Sequence, residues 1–229
     1  MCGIELNDKL LDSSINYCNF DNISHCQTFR YIFTTFSPTM AGYRHFYSLR
    51  NMTYDGGRIY THLEEAENER MHLIACMQVF HAGPVTKALV FAAQVIISPF
   101  CWFFCLCNPR FLNRFVGYLE ELACETYSTV LDAMDDPEKQ LYREWREIPA
   151  PPVAIQYWKL DENASWHDTL RRIYADETNH RDVNHCFADL GINERNPLLK
   201  HHEEIAKRHA NTETVEKQDD YDEEKTKKI

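Results

Sequence analysis

Two short segments of this chain have the residue types and spacing of a metal clamp: Glu69-Arg70-Met71-His72 and Glu177-Thr178-Asn179-His180. On a helix, side chains three residues apart share a face. A carboxylate and an imidazole so placed can bind one metal ion together. A third segment carries Glu120-Glu121 in an otherwise apolar stretch. Helical bundles that hold a pair of iron ions take a Glu-x-x-His from each of two helices and a single Glu from each of two others. Three of those four contributions are present here. A chain rich in Glu and His produces such a pair by chance, so the pairs gain weight only from their setting. Asn68 and Asp176 each immediately precede a pair's Glu, where they can orient an imidazole or accept its other N–H. Solvent exposure is the ordinary alternative for a lone Asn or Asp. Tyr127 lies seven residues after Glu120 and returns to the same helix face, beside the metals or simply in the core.

The elements that would position these groups are helical. Arg58 to about Val79 has abundant Glu, Ala, Met, Leu and Arg with no Gly or Pro, a helix-forming composition. Gly83-Pro84 ends it. Ala88–Cys107 is an apolar run, broken by Asn108-Pro109, and Arg110 to about Met134 is amphipathic at helical period. Ile148–Val153, with three prolines, reads as a loop. Ser165 can cap a last long helix from about Trp166 to Leu190, which Gly191 ends. Tyr43–Arg50 has the character of a helix end, stopped by Asp55-Gly56-Gly57. Residues 203–229 are dense in charge and contain no Gly, Phe or Trp, as expected of a solvated tail, disordered or a frayed helix. Only 7 glycines and 9 prolines in 229 residues argue against an all-β domain.

Three blocks in order carry a family resemblance. Leu63-Glu64-Glu65-Ala66-Glu67-Asn68-Glu69-Arg70-Met71-His72 resembles the central NERMH block of the alternative oxidases. Leu119-Glu120-Glu121-Leu122-Ala123 resembles their LEEEA block. Ala175-Asp176-Glu177-Thr178-Asn179-His180-Arg181-Asp182-Val183-Asn184-His185 resembles their last block, RADEAHHRDVNH. The resemblance implies an all-α fold: a ferritin-like four-helix bundle with an additional interfacial membrane helix. It implies a homodimer on the matrix face of the mitochondrial inner membrane. It also implies that electrons pass from ubiquinol to O2 at two iron ions, making water without pumping protons. Matching position by position, Glu69, His72, Glu120, Glu177 and His180 fall on iron ligands. Asn68 and Asp176 fall on outer positions, Tyr127 on a tyrosine beside the metals, Thr126 on the quinone pocket, and Tyr157-Trp158 on an aromatic pair before the last helix.

The departures are specific. The family's sixth ligand is the Glu of a LET block, and counting back from Asp55-Gly56-Gly57 places it at Arg30. No Glu lies between Glu5 and Glu64. The third Glu of LEEEA is Leu122 here. A guanidinium cannot coordinate iron, so a poor or inactive quinol oxidase is expected, with a divergent, truncated or alternatively spliced N-terminus. The expected organisation is a divergent segment over 1–39, a di-iron helical domain over 40–192 and a charged tail over 193–229. Residues 1–28 contain four acids and one basic residue, Lys9, unlike a transit peptide. The 9 cysteines show no Cys-x-x-Cys pair and read as reduced thiols.

Ala88–Cys107 is long enough to span a bilayer. A single crossing between residues 79 and 110 would separate Glu69 from Glu120, so the shared metal site requires a helix lying in one leaflet, with membrane lipid as its partner. A net charge of −11 disfavours nucleic acid, whose phosphates need clustered Lys and Arg. Two rival functions remain open on the sequence: a non-catalytic membrane-bound relative, and a di-iron hydroxylase that shares the Glu-x-x-His pairs.

Overall fold

The computed structural model describes residues 35–191 and 194–199. Arg30 and residues 203–229, and the expectations placed on them, lie outside the described residues. Seven helices and no strand occur among the described residues. They are α1 (Phe36–Asn51), α2 (Arg58–Val79), α3 (Pro84–Cys107), α4 (Pro109–Asp135), α5 (Gln140–Trp145), α6 (Pro152–Trp158) and α7 (Trp166–Asp189).

The breaks are made by local chemistry. Met52 in the left-handed region ends α1. Gly56 (φ 74°) and Gly57 (φ 88°) then supply positive φ for the turn into α2, a region open to glycine at no steric cost. Asp55 locks that turn: it accepts from the Ile59 backbone N–H at 2.6 Å and from Arg44 at 2.7 Å. Gly83-Pro84 both ends the preceding segment and starts α3, because proline's fixed φ suits the first helical position. The apolar helix therefore begins four residues earlier than the apolar run. Asn108 caps α4 by accepting from Phe111 N. Ser165 and Asp168 form a reciprocal capping box on α7, which satisfies two otherwise orphaned donors. Where a loop is expected at Ile148–Val153, Pro152 instead begins α6.

Four helices, α1, α2, α4 and α7, form the bundle. α4 and α7 run antiparallel: Arg110 donates to Ala188 O, Cys124 meets Thr178, and His167 meets Asp135. α2 is also antiparallel to α7, with Arg58 donating to Gly191 O and Asn184 donating to Glu65. Along α4, Leu112 and Val116 join one apolar cluster with Met40, Tyr43, Cys101 and Cys105, whereas Tyr127 and Met134 join another with Leu73, Trp145, Trp166 and Ile173. Glu120 lies between these two clusters in the sequence of α4. Residues 194–199 fold back onto the α1–α2 turn, where Asn196 N donates to Gly56 O and the Asn196 side chain donates to Thr61.

α3 lies outside the bundle, against α1 and α4. Its mean hydropathy reaches 2.1, yet only 17% of that apolar window is buried. Leu89, Phe91, Val95, Ile96, Phe100 and Phe103 face outward, and Phe111, Phe115 and Leu122 of α4 are exposed as well. An unburied apolar surface of this extent marks an interaction site rather than a core helix.

Candidate metal centre

Each long bundle helix brings one buried polar stripe to the interior. On α2 it is His62, Glu65, Glu69 and His72, at spacings of three and four; on α7 it is Glu177, His180 and Asn184; on α4 it is Glu120. The 3.6-residue period alone puts each set on one face. Antiparallel packing then brings ligand-capable atoms of Glu69, Glu120, Glu177 and His180 within 4.8 Å of one another. His180 Nδ1 lies 3.1 Å from Glu69 and 3.9 Å from Glu177. His72 Nδ1 lies 3.7 Å from Glu69 and 3.5 Å from Glu177, so the second imidazole faces the same carboxylates. The five residues matched to ligands by the resemblance thus converge.

Three carboxylates buried together raise the cost of ionising one another. The Glu120 carboxyl is pushed well above its usual range, first by burial and then by the charge of Glu177 and Glu69. For His72 burial alone favours the neutral ring, but Asp176, Glu177 and Glu69 outweigh it and raise the group to about 9. His180 is raised in the same way by Glu177 and Glu69 against its burial. Glu69 Oε1 and His72 Nδ1, both buried, have only poorly aligned neighbours, His180 Nδ1 at 3.1 Å for the first and Glu177 at 3.5 Å for the second. Buried polar atoms ordinarily find partners, and convergent carboxylate oxygens and imidazole nitrogens are the donor set that iron takes in such bundles. These residues fit a bound metal.

The sign of the pH dependence follows. In metal-stripped protein both Glu120 and His72 have raised folded pKa values. Their stabilisation is present below the unfolded values and is lost as pH rises through the folded ones. For His72 that window runs from 6.5 to about 9, and the loss is on the order of 3 kcal/mol. The thermal midpoint in chelator should therefore fall between pH 6.5 and 9. Metal-loaded protein should show the opposite trend, because metal competes with protons for the same atoms. A chelated midpoint that stays level or rises across that window would contradict the assignment.

Asp176 organises the outer side of the site. A single oxygen, Oδ2, accepts from Asn68 Nδ2 at 2.8 Å and Trp158 Nε1 at 2.8 Å, and meets His72 Nε2 at 3.2 Å. Burial works to raise its pKa, but the hydrogen bonds and charge of His72, with Asn68 and Trp158, hold it below the usual carboxylate value. His72 is thereby turned with Nδ1 toward the carboxylates. Trp158 of α6 stacks on the His72 ring at 5.8 Å and 18°, and Asn68 also donates to Tyr157 at 3.3 Å. Asn68 therefore acts on His72 through Asp176, not by direct contact. Asp176→Ala is expected to weaken metal binding about 10–100-fold, and Asn68→Ala by less, in equilibrium titrations followed by metal analysis. Equal affinities in wild type and Asp176→Ala would remove the orienting role.

Other expected residues sit elsewhere. Tyr127 is buried in the apolar cluster with Leu73 and Ile173. Thr126 is exposed on α4, its hydroxyl donating to Leu122 O. Glu121 points outward to His185 at 2.9 Å; Gly117 leaves room for that histidine, whose ring would lie 2.8 Å from a Cβ. A second buried layer, His62, Glu65 and Asn184, is absent from the motif reading. The signal for it was Glu65's position one turn before Glu69, hidden in a run of charged residues that looks solvent-facing.

Comparison with known proteins matches residues 33–189 to the family model described as alternative oxidase. A mitochondrial alternative oxidase of Cryptococcus neoformans var. grubii is 45% identical over 155 residues, 67% of this chain and 38% of that protein. One from Trypanosoma brucei brucei is 44% identical over 155 residues, 67% of this chain and 46% of that protein. A mitochondrial ubiquinol oxidase 1c of Arabidopsis thaliana is 39% identical over 155 residues, 67% of this chain and 45% of that protein. The matched stretch spans less than half the length of each of these relatives.

Proposed function

The chain belongs to the alternative oxidase family, and on that premise we propose that it oxidises ubiquinol and reduces O2 to water at a di-iron centre without pumping protons. The observation that carries this reading is the convergence of Glu69, Glu120, Glu177 and His180 in one buried cluster. Two quinols supply the four electrons and four protons that convert one O2 to two waters. Bound iron would supply the redox couple through which those electrons reach oxygen.

The protein's own contributions follow from its geometry. Glu69, Glu120 and Glu177 present negative charge to the metals, and His72 and His180 present neutral nitrogen. Asp176 accepts the far N–H of His72 and fixes the ring that would otherwise turn. The flanking apolar clusters exclude water, which strengthens each charge interaction inside. Tyr127, buried on α4 two turns from Glu120, matches the family's tyrosine beside the metals, and in that role it would exchange a hydrogen atom or hold a hydrogen bond at the centre. The exposed apolar faces of α3 and α4 suit a monotopic seat in one leaflet of the mitochondrial inner membrane, facing the matrix. Quinol would enter there, past Thr126. A homodimer is the assembly that the family resemblance implies.

One observation favours a second reading, a non-catalytic membrane-bound relative. Leu122 is 60% exposed on α4, at the position where the resemblance places a Glu of the quinone pocket. A leucine offers the quinol hydroxyl no acceptor. Ubiquinol-dependent oxygen uptake measured alongside iron content separates the two: bound iron with no uptake selects the second reading.

The seat in the membrane is testable by itself. The protein should sediment with membranes and be released by detergent or strong alkali. Protease protection should place α2 and the C-terminal half of α4 on the same side. Protection of the two on opposite sides would refute the monotopic seat.

A further inference from the structure

We infer that Glu65, held between His62 and Asn184, is a positioning residue that fixes the spacing between the helices carrying Glu69 and His180. The inference rests on the metal-centre reading and extends it to a layer no ligand occupies. All three side chains are buried, His62 at 0%, Glu65 at 3% and Asn184 at 1% exposure. Glu65 Oε1 accepts from Asn184 Nδ2 at 3.0 Å, and Glu65 Oε2 meets His62 Nδ1 at 3.1 Å. Asn184 Nδ2 also donates to the backbone oxygen of His180 at 3.0 Å.

The register makes this a brace. Glu65 precedes Glu69 by one turn on α2, and Asn184 follows His180 by one turn on antiparallel α7. The Glu65–Asn184 contact therefore lies about 6 Å along the bundle from the Glu69–His180 contact of 3.1 Å. A shift of either helix that loosened one contact would loosen the other. His62 holds the second Glu65 oxygen, so the carboxylate cannot rotate away from Asn184. The ring of His62 is itself wedged edge-on against Phe187 of α7 at 5.1 Å.

Stability alone does not explain such a layer. A buried charged group is expensive to desolvate, and well-packed apolar residues of similar volume often serve as well or better. What the polar brace adds is direction: hydrogen bonds fix distance and angle to tenths of an ångström, whereas apolar contacts slide. Binding sites lose affinity when supporting groups are left loose.

The test uses the full chain with Glu65→Ala, Asn184→Ala and Glu65→Gln, each checked for folding by circular dichroism. Glutamine can accept from Asn184 and, with His62 in its Nε2–H tautomer, donate to His62 Nδ1, so it can keep both contacts without the carboxylate. Iron affinity should fall about 10–100-fold in Glu65→Ala and Asn184→Ala, with an altered Mössbauer signature. Glu65→Gln should restore both to the wild-type values. In metal-free protein, the ring 15N resonances of His180 should move in the two alanine variants and stay in place in Glu65→Gln. That readout holds even if wild-type protein binds no iron, an outcome that would sink the metal-centre reading and leave the brace to be judged by the His180 resonances. Alanine variants that only melt earlier, with iron affinity, spectrum and His180 resonances unchanged, would overturn the inference. So would Glu65→Gln as defective as Glu65→Ala, because the charge and not the geometry would then be at work. If Glu65→Ala fails to fold, the comparison of Asn184→Ala with Glu65→Gln decides the same question.

Discussion

His180→Ala and Glu177→Ala are each expected to remove most bound iron and all measurable ubiquinol-dependent oxygen uptake. Both side chains are almost wholly buried, at 4% and 1% exposure, and both belong to the four-residue cluster. Removing His180 takes away a nitrogen 3.1 Å from Glu69 and leaves that carboxylate facing its neighbours without a cationic or metal partner. Removing Glu177 deletes the carboxylate that both imidazoles face. Outer partners weaken a site by about 10–100-fold; the loss of an inner ligand should exceed that range. Iron per chain after desalting, compared with Asp176→Ala prepared in parallel, checks the ranking. Iron retained in His180→Ala at the level found in Asp176→Ala would mean that the inner and outer assignments are wrong.

The second large effect is on folding. Trp166 is fully buried at the start of α7, packs edge-on against Phe80 at 5.8 Å and sits in the cluster that contains Leu73, Tyr127 and Ile173. Its backbone N–H donates to Ile148 O at 2.7 Å, so the residue joins the loop before α6 to the last helix. Trp166→Ala should destabilise by about 3–5 kcal/mol, through lost transfer energy and the cavity left behind. Trp166→Phe should be much milder. The indole N–H makes no hydrogen bond, and phenylalanine buries no donor at all. Chemical denaturation of the three proteins measures both differences. A Trp166→Phe variant as unstable as Trp166→Ala would show that the indole nitrogen has a partner that matters.

What was legible in the sequence depended on the length of the signal. α2, α4 and α7 run for 22, 27 and 24 residues, long enough for the helical period to show, and the Glu-x-x-His pairs fall within it. Ser165 announced the start of α7 because a capping residue acts within four residues of itself. α5 and α6, at 6 and 7 residues, are shorter than two turns, and α6 begins at a proline pair, so no periodicity could separate them from loop. α6 nevertheless delivers Trp158 to His72, a contact set by packing. The brace of His62, Glu65 and Asn184 was hidden for another reason. Within Leu63–Arg70 nearly every residue is polar, so no single face stands out as buried. Only the arrival of α7, 119 residues further on, decides that Glu65 points inward and Glu67 outward. Arg58 is a similar case: a buried cation whose partners, Gly191 O and Glu194 O, come from the far end of the described chain.

The most direct test of the whole account is oxygen uptake by purified, iron-loaded protein with a ubiquinol analogue, in the presence of cyanide, with iron per chain measured on the same sample. The account predicts bound iron, cyanide-resistant uptake that depends on quinol and is slower than that of its relatives, and loss of both in His180→Ala. Protein that folds, takes up no iron and consumes no oxygen with quinol would contradict it.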